Sequence, residues 1–220
     1  MKSITIAALA LLSTQALAAQ APVSASGYMM GLSNYLWRGQ SISLDNPSLQ
    51  SDFMLEHDIG LYGGVSYETY RYEDGADEVK DYEIDYYGGY YHMFNDDLGM
   101  GLSAMKYTFG DGDDTLEYTV SVDYRNLSAT VNYDEDVKAW YSELNYSVAL
   151  FADSTLVVHG GWFTDAENYG YGDEANPADE FYDVALRYDY PFWDTFSLLL
   201  EASYHEYDDD HYMIGVAYWL

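Results

Sequence analysis

One type of segment recurs to the end of the chain: about ten residues in which apolar and polar positions alternate, rich in tyrosine and closed by a turn. The last copy, HYMIGVAYWL, places these residues on one face: Tyr212, Ile214, Val216, Tyr218 and Leu220. A period of two indicates a β-strand with two unlike faces. Repeated along a chain that has no cysteine, the pattern is typical of a transmembrane β-barrel, with lipid outside and water inside.

The N-terminus has the features of a secretory signal peptide. Lys2 precedes an apolar run from Ile4 to Leu12, and the small-residue end Ala16-Leu17-Ala18 follows. We therefore expect residues 1–18 to be a signal peptide and residues 19–220 to form one barrel domain. The absence of cysteine excludes a small disulfide-framed fold. No later stretch approaches the roughly eighteen apolar residues that a spanning helix needs.

Composition excludes one class of partner and leaves the fold to the pattern. The 38 acidic residues against eight lysines and arginines argue against nucleic acid as a partner, because a phosphate backbone requires a basic surface. A mean hydropathy of -0.29 fits a soluble protein and a barrel equally. The 26 tyrosines exceed the needs of a core of this size, and tyrosine favours the interface between membrane and water. A soluble β-sandwich would leave a second apolar face exposed on every strand.

The alternation predicts an all-β, antiparallel, up-and-down transmembrane barrel of about twelve strands, with ten or fourteen as alternatives. The expected strands are 26–38, 47–56, 60–72, 80–93, 98–109, 115–125, 127–134, 137–150, 155–164, 180–190, 195–206 and 211–220. Short connections alternate with longer or more acidic ones, as in outer-membrane barrels with both termini in the periplasm. The longest loop, 165–179, either folds over the mouth or is solvated.

The predicted inner faces are polar and mostly acidic. On the sixth strand, for example, Glu117 and Asp123 alternate with Tyr118 and Val120. The candidate pore-lining residues are Arg38, Asp52, Glu56, Glu68, Glu83, Asp85, Glu117, Asp123, Arg125, Glu143, Arg187 and Glu201. Because the bases are too few to neutralise the acids, we expect a wet, electronegative lumen that concentrates cations. The alternative is a plugged barrel whose interior is satisfied by internal hydrogen bonds.

One segment resembles a known family. The stretch SNYLWRGQS is followed by NPSLQSDFMLEHDIGLYGGVSYE, and the matching positions are Ser33, Tyr35, Trp37, Arg38, Gly39, Ser41, Pro47, Gln50, Gly60, Tyr62 and Gly64. The motif is similar to that of the TorF-type porins, also called the Gcw_chp family, and it covers only the first part of the mature chain. The resemblance implies an outer-membrane barrel with a porin role, and it supplies no catalytic residue or substrate.

Arg38 is the basic residue that we expect at the extracellular end of the first strand, where a pore would begin. A guanidinium there can pair with a luminal acid such as Asp52 through a bidentate bond. This structural role, bracing strand one against strand two, is favoured over substrate binding. In both interpretations Arg38 lies inside the barrel.

Two acidic clusters and one histidine carry alternative chemistry. The clusters at Asp111–Asp114 and Tyr207–His211 lack the full spacing of an EF-hand. They are either solvated loop charge or weak sites for divalent cations that bridge to lipopolysaccharide phosphates. His205 and Glu201 could form an acid-base pair, yet no histidine lies in a nucleophile motif such as G-x-S-x-G. We therefore expect no enzyme, no cofactor and no defined metal or catalytic site.

The sequence thus predicts an outer-membrane porin-like channel of a Gram-negative bacterium, for passive diffusion of small solutes or ions, with a preference for cations. Its expected partners are outer-membrane lipid, lipopolysaccharide and the barrel assembly machinery. The alternative is a non-conducting structural or adhesive barrel that works through its acidic surface loops.

Overall fold

The chain forms a closed barrel of twelve antiparallel strands. The computed structural model describes residues 22–110, 112, 114–173 and 176–220. The barrel strands, numbered in chain order, are β1 (Val23–Leu32), β2 (Ser48–His57), β3 (Leu61–Asp74), β4 (Asp77–Met93), β5 (Leu98–Phe109), β6 (Thr115–Tyr124), β7 (Leu127–Asp134), β8 (Trp140–Ala149), β9 (Thr155–Thr164), β10 (Phe181–Trp193), β11 (Phe196–His205) and β12 (Asp209–Trp219). The predicted fold class is confirmed.

Closure depends on the first and last strands, because every other strand pairs with its neighbours in sequence. In β1 and β12, Tyr28 lies opposite Trp219 and Leu32 lies opposite Gly215. The backbone amide of Leu220 also donates to the carbonyl oxygen of Gly27 at 2.9 Å. The barrel therefore has no free edge between its first and last strands.

The connections alternate between two ends of the barrel. The short-turn end carries residues 58–60, 94–97, 125–126, 150–154 and 194–195, including the 3-10 turn Phe151–Asp153. The long-loop end carries residues 33–47, 75–76, 110–114, 135–139, 165–180 and 206–208, including the 3-10 turn Glu167–Tyr169. The predicted alternation is confirmed. The connection between the predicted strands 60–72 and 80–93 shrinks to two residues because β3 and β4 stay paired as far as Asp74 and Asp77.

The first strand differs from its prediction. The alternation suggested 26–38, but β1 ends at Leu32 and a small ribbon follows, in which Leu36–Trp37 pairs with Gln40–Ser41. Arg38 and Gly39 between them have φ angles of 50° and 82°. Positive φ at both central residues defines a tight turn of type I′. A second ribbon, Gly172–Asp173 with Asn176–Pro177, lies in the 165–180 loop.

The outer surface of the barrel is apolar. Exposed outward side chains include Leu102 at 61 %, Ile214 at 55 % and Leu186 at 51 %. At the short-turn end, the rings of Trp193 and Phe196 lie 5.7 Å apart and those of Phe196 and Tyr218 lie 5.1 Å apart. An apolar band with an aromatic rim is what a barrel in a bilayer presents to lipid.

Among the described residues, no helix is both long and apolar enough to cross a membrane. The expected signal peptide, residues 1–18, lies outside the described residues.

Candidate functional site

The barrel interior is acidic. Among the described residues, eight buried side chains are carboxylates and none is a lysine or an arginine. Those carboxylates are Asp52, Glu68, Glu83, Asp85, Glu117, Asp123, Asp134 and Asp183. Each occupies an inward position of its strand, because successive side chains of a strand point to opposite faces. The acidic inner face that the sequence predicted is therefore present.

The 33–47 loop folds into the barrel from its long-loop end. The carbonyl oxygen of Gly39 accepts a hydrogen bond from Ser203 Oγ of β11 at 3.4 Å. A Cβ atom on Gly39 would lie 2.6 Å from the Cβ of Asp183, so the positive φ and the close approach both require glycine there. The loop that connects β1 to β2 thus reaches β10 and β11 and narrows the interior.

Arg38 is the side chain with which this loop contacts β6. Its Nη2 lies 2.6 Å from Glu117 Oε2, and the two side chains are 10 % and 6 % exposed. The guanidinium also lies 4.2 Å from the ring centroid of Tyr141 and 4.4 Å from that of Trp37. The expected pairing with Asp52 is wrong, because the turn at Arg38 directs the guanidinium away from β2. Asp52 instead accepts a hydrogen bond from Tyr87 at 2.7 Å.

The 165–180 loop adds an apolar cover over the mouth. Its Ala166 and Ala178 are buried in a cluster with Tyr141, Phe163 and Phe181. Tyr169 stacks edge-on against Phe163 at 5.3 Å. The hydroxyl of Tyr171 donates to the side-chain oxygen of Gln40 in the first loop. Of the two alternatives for this loop, its described residues fold over the mouth.

A hydrogen-bonded network lines β8, β9 and β10. Asp183, which has no exposed surface, accepts from the hydroxyl of Tyr141 at 3.0 Å and lies 2.8 Å from His159 Nε2. The other ring nitrogen of His159 lies 2.7 Å from Asn145 and 3.6 Å from Glu143. The sequence reasoning missed Asp183 and His159 as a pair. Their inward positions on adjacent strands were the available signal.

Three predicted lumen residues lie together on β3 and β4. One carboxylate oxygen from each of Glu68, Glu83 and Asp85 lies within 4.8 Å of the other two. Ser66 donates to Glu68 at 3.3 Å and to Asp85 at 3.2 Å. This group is called the β3–β4 carboxylate cluster below.

The remaining candidates are distributed along the barrel. Arg187 pairs with Glu201 at 3.0 Å, and Asp123 accepts from Tyr91 at 2.8 Å. Glu56 has the inward parity of β2 but is exposed near the short-turn end. Arg125 was expected inside, but it lies in the 125–126 turn, where its 62 % exposed side chain pairs with Asp97. Its φ of 56° takes it out of the strand alternation, so we no longer assign it to the lumen.

The acidic surface clusters are used differently from one another. Asp208 accepts from the backbone amide of Ser41 at 3.0 Å and lies 2.9 Å from His211. This part of the Tyr207–His211 cluster therefore holds the 33–47 loop. Asp111 and Asp113 of the other cluster lie outside the described residues. His205 accepts from the amide of Tyr207, while Glu201 pairs with Arg187, so the structure does not bring His205 and Glu201 into an acid-base pair.

The loops that enter the mouth carry tyrosines whose pKa is raised. Burial, and then the charges of Glu83, Glu68 and Asp85, raise the pKa of Tyr35 well above its usual range. Burial also raises the pKa of Tyr169 and of Tyr171 to about 12. These tyrosines are therefore neutral at physiological pH and can donate hydrogen bonds to the acids around them.

The described part of the surface includes two depressions. One of about 770 Å³ lies at the long-loop end, between Asp114, Asp136, Lys138 and Asn168. The other, of about 420 Å³, lies on the outer wall around Gly160, where the missing side chain leaves a gap between Leu144 and Val184.

The fold is that of the outer-membrane porin barrels. The KdgM porin matches with a TM-score of 0.60 and 11% identity, over 88% of this chain and 98% of that one. The NanC porin matches with a TM-score of 0.54 and 12% identity, over 87% and 98%. The COG4313 outer membrane channel from Pseudomonas putida F1 matches with a TM-score of 0.54 and 11% identity, over 95% and 99%. These structural neighbours are porins and channels rather than enzymes.

The chain belongs to the Gcw_chp family, described as a bacterial protein of unknown function, whose model matches residues 16–156. The part of the predicted resemblance that names Gcw_chp is thereby confirmed. A comparison with curated proteins finds no match.

Proposed function

We propose that this protein is a porin-like channel of the bacterial outer membrane, which passes small solutes by passive diffusion and prefers cations. The observation that carries the proposal is a closed barrel with an acidic interior. Among the described residues, the buried side chains include eight carboxylates and no lysine or arginine. A low-dielectric wall lined by one sign of charge focuses the field and raises the local concentration of counter-ions. The TorF name suggested by the motif fits this role.

The outer surface supports a place in the membrane. The apolar band would face lipid, and the aromatic rim at Trp193 and Phe196 would sit at the membrane interface. By the usual orientation of such barrels, the short-turn end faces the periplasm and the long-loop end faces outward, towards lipopolysaccharide. Delivery by a signal peptide at residues 1–18 and insertion by the barrel assembly machinery belong to the same proposal.

The charge of the interior favours some solutes over others. One KdgM structure is a complex with disordered oligogalacturonate, which is a polyanion. In the present barrel a polyanion would meet inward carboxylates such as Glu68 and Glu83, which take part in none of the ion pairs of the described residues, and like charges repel in a low dielectric. Small cations and small neutral solutes are therefore the proposed cargo.

The 33–47 loop lies in the proposed pathway. Arg38 holds the loop to Glu117, and Gln40 holds it to the 165–180 loop. A solute entering from the long-loop end would pass these contacts before it reached Glu143 and Glu201. Movement or removal of the Arg38 contact should therefore change the size of the conductance more than its charge selectivity.

The test is conductance of the refolded protein in a planar bilayer under a potassium chloride gradient. The proposal expects open channels. The sign of their reversal potential should show that potassium passes more readily than chloride. Glu143→Gln with Glu201→Gln should reduce that preference, because both acids face the interior. Glu180→Gln, at an exposed position of the 165–180 loop, is the matched control and should leave the reversal potential unchanged.

A second candidate function is a plugged structural or adhesive barrel. The observation that favours it is the buried cluster over the mouth, in which Phe163 and Phe181 stack at 4.4 Å and have no exposed surface. This candidate expects correctly folded protein that does not conduct. Shortening the 165–180 loop would then open the barrel, whereas in the channel proposal it would only enlarge an existing conductance.

A further inference from the structure

The β3–β4 carboxylate cluster brings like charges face to face. In the antiparallel register, Glu68 lies directly opposite Glu83, and Ser66 lies directly opposite Asp85. All of these residues have the inward parity of their strands. Directly opposed side chains have Cβ atoms about 4.5–5.5 Å apart, and like charges in such positions destabilise a sheet. The pairing therefore calls for a compensating group.

Burial makes the compensation more necessary. Glu68 is 6 % exposed, and Glu83 and Asp85 are each 4 % exposed. Water therefore reaches these carboxylates poorly, and a buried charge without a partner is costly.

Within the described part of the chain, the protein itself does not supply a cation. None of the ion pairs there includes Glu68, Glu83 or Asp85. The Oδ1 atom of Asp85 is buried and has no hydrogen-bond partner among the described residues, while its Oδ2 atom accepts from Ser66. An unpartnered, buried carboxylate oxygen inside a cluster of acids is a free ligand atom for a cation.

The geometry fits a hard divalent cation. Calcium binds oxygen ligands at about 2.3–2.6 Å, so two ligands on opposite sides of one ion lie about 4.6–5.2 Å apart. The three carboxylate oxygens already lie within 4.8 Å of one another, which satisfies that limit without movement. Magnesium requires near-octahedral geometry at about 2.0–2.1 Å and gives up its bound water reluctantly, so a group of protein oxygens suits it less well than calcium. All the protein donors are oxygens, as these ions prefer.

We infer that Glu68, Glu83 and Asp85 form a divalent-cation site, with calcium as the preferred ion, on the β3–β4 wall of the barrel interior. The hydroxyl of Ser66, between Glu68 and Asp85, is the neutral oxygen at the same site. Water molecules that enter with the ion would complete the six to eight oxygen ligands that calcium takes. This site differs from the acidic surface clusters, because its ligands are buried and belong to two paired strands.

A bound cation would do two things. It would join β3 to β4, which form the longest strand pair of the barrel. Its attraction for Glu68 and Glu83 would replace the repulsion between them. It would also lower the negative charge of the interior at that level. The site goes beyond channel function and is tested by binding, so the result does not depend on whether the barrel conducts.

The experiment is calorimetric titration of the refolded full chain in detergent with calcium chloride alone, from about 10 µM to 10 mM, a span that covers sensor and extracellular calcium sites. Wild type is compared with Glu83→Gln/Asp85→Asn, in which the shapes of the side chains are kept. The matched control is Asp123→Asn on β6. It also removes a buried inward carboxylate that has one unpartnered oxygen.

The expected result is that the double variant binds one calcium ion per chain fewer than wild type, while Asp123→Asn binds as wild type does. Calcium should also raise the melting temperature of wild type and not that of the double variant. Heat-modifiable migration on a gel establishes folding, and Glu68→Gln replaces the double variant if the latter does not refold. Equal stoichiometry in wild type and variant, or no binding to wild type, would overturn the inference.

Discussion

Two walls of the same barrel handle their buried acids in opposite ways. On the wall formed by β6 and β8–β10, Glu117 pairs with Arg38 and Asp183 with His159. On the β3–β4 wall, Glu68 faces Glu83, and the hydroxyl of Ser66 lies within hydrogen-bond distance of both Glu68 and Asp85. The alternation of polar and apolar residues is the same on both walls. The difference shows that charge balance in the lumen depends on which partner reaches each acid: Glu117 receives Arg38 from the folded loop, and Asp183 receives His159 from the neighbouring strand.

The largest loss of stability is expected from Arg38→Ala, on the wall formed by β6 and β8–β10. The change leaves Glu117 buried without its partner, which costs about 3–5 kcal/mol in the free energy of unfolding. Urea titration of the refolded barrel, followed by tryptophan fluorescence, measures the loss. The double variant Arg38→Gln/Glu117→Gln removes both charges and should recover part of it. An Arg38→Ala protein that unfolds at the wild-type urea concentration would contradict the role given to this pair.

A smaller loss is expected from Asp183→Asn on the same wall. The carboxylate is the acceptor for Tyr141 and lies beside His159 Nε2, so the amide leaves a poorly matched buried contact costing about 1–3 kcal/mol. The matched control is Asp189→Asn, an inward but less buried acid of the same strand. The same urea titration should show a smaller change for the control. Equal changes would mean that the network around Asp183 adds nothing to stability.

On the β3–β4 wall, removal of an acid should stabilise the barrel instead of destabilising it. With calcium chelated by EDTA, Glu83→Gln relieves its repulsion with Glu68 and should stabilise the barrel by about 0.2–1 kcal/mol. Thermal unfolding of wild type and variant in EDTA measures the difference. If Glu83→Gln is less stable than wild type under these conditions, the two walls do not differ in the way described.

The smallest effect is expected outside the lumen. Arg125 pairs with Asp97 in a turn, and their side chains are 62 % and 48 % exposed. Exposed ion pairs contribute little because water and salt screen them. Arg125→Ala should therefore unfold at the same urea concentration as wild type, and its bilayer conductance should also be unchanged. A clear change in ion selectivity would contradict the assignment of Arg125 to a position outside the lumen.

Most of the barrel could be predicted from the sequence because its signal is local. A strand that separates lipid from water must alternate, so positions such as Tyr118 and Glu117 fall on the faces that the period assigns. The lengths of the connections are also local, and they distinguish the short-turn end of the barrel from the long-loop end. The first strand was overextended because alternation continues through Tyr35 and Trp37, while the turn at Arg38 and Gly39 depends on positive φ angles.

The partners of the luminal residues could not be predicted in the same way. Arg38 and Glu117 are 79 positions apart, and their contact exists only after the 33–47 loop has folded across the interior. A list of inward acids therefore identified Glu68, Glu83 and Asp85 individually, but only the register between β3 and β4 shows that they share one place.

The measurement that tests the account most directly is the ratio of potassium to chloride permeability in planar bilayers, with EDTA present, for wild type beside Glu68→Gln/Glu83→Gln/Asp85→Asn. The account expects a conducting wild type that prefers potassium, and a triple variant that conducts with a clearly weaker preference. A folded wild type that does not conduct, or that prefers chloride, would contradict it.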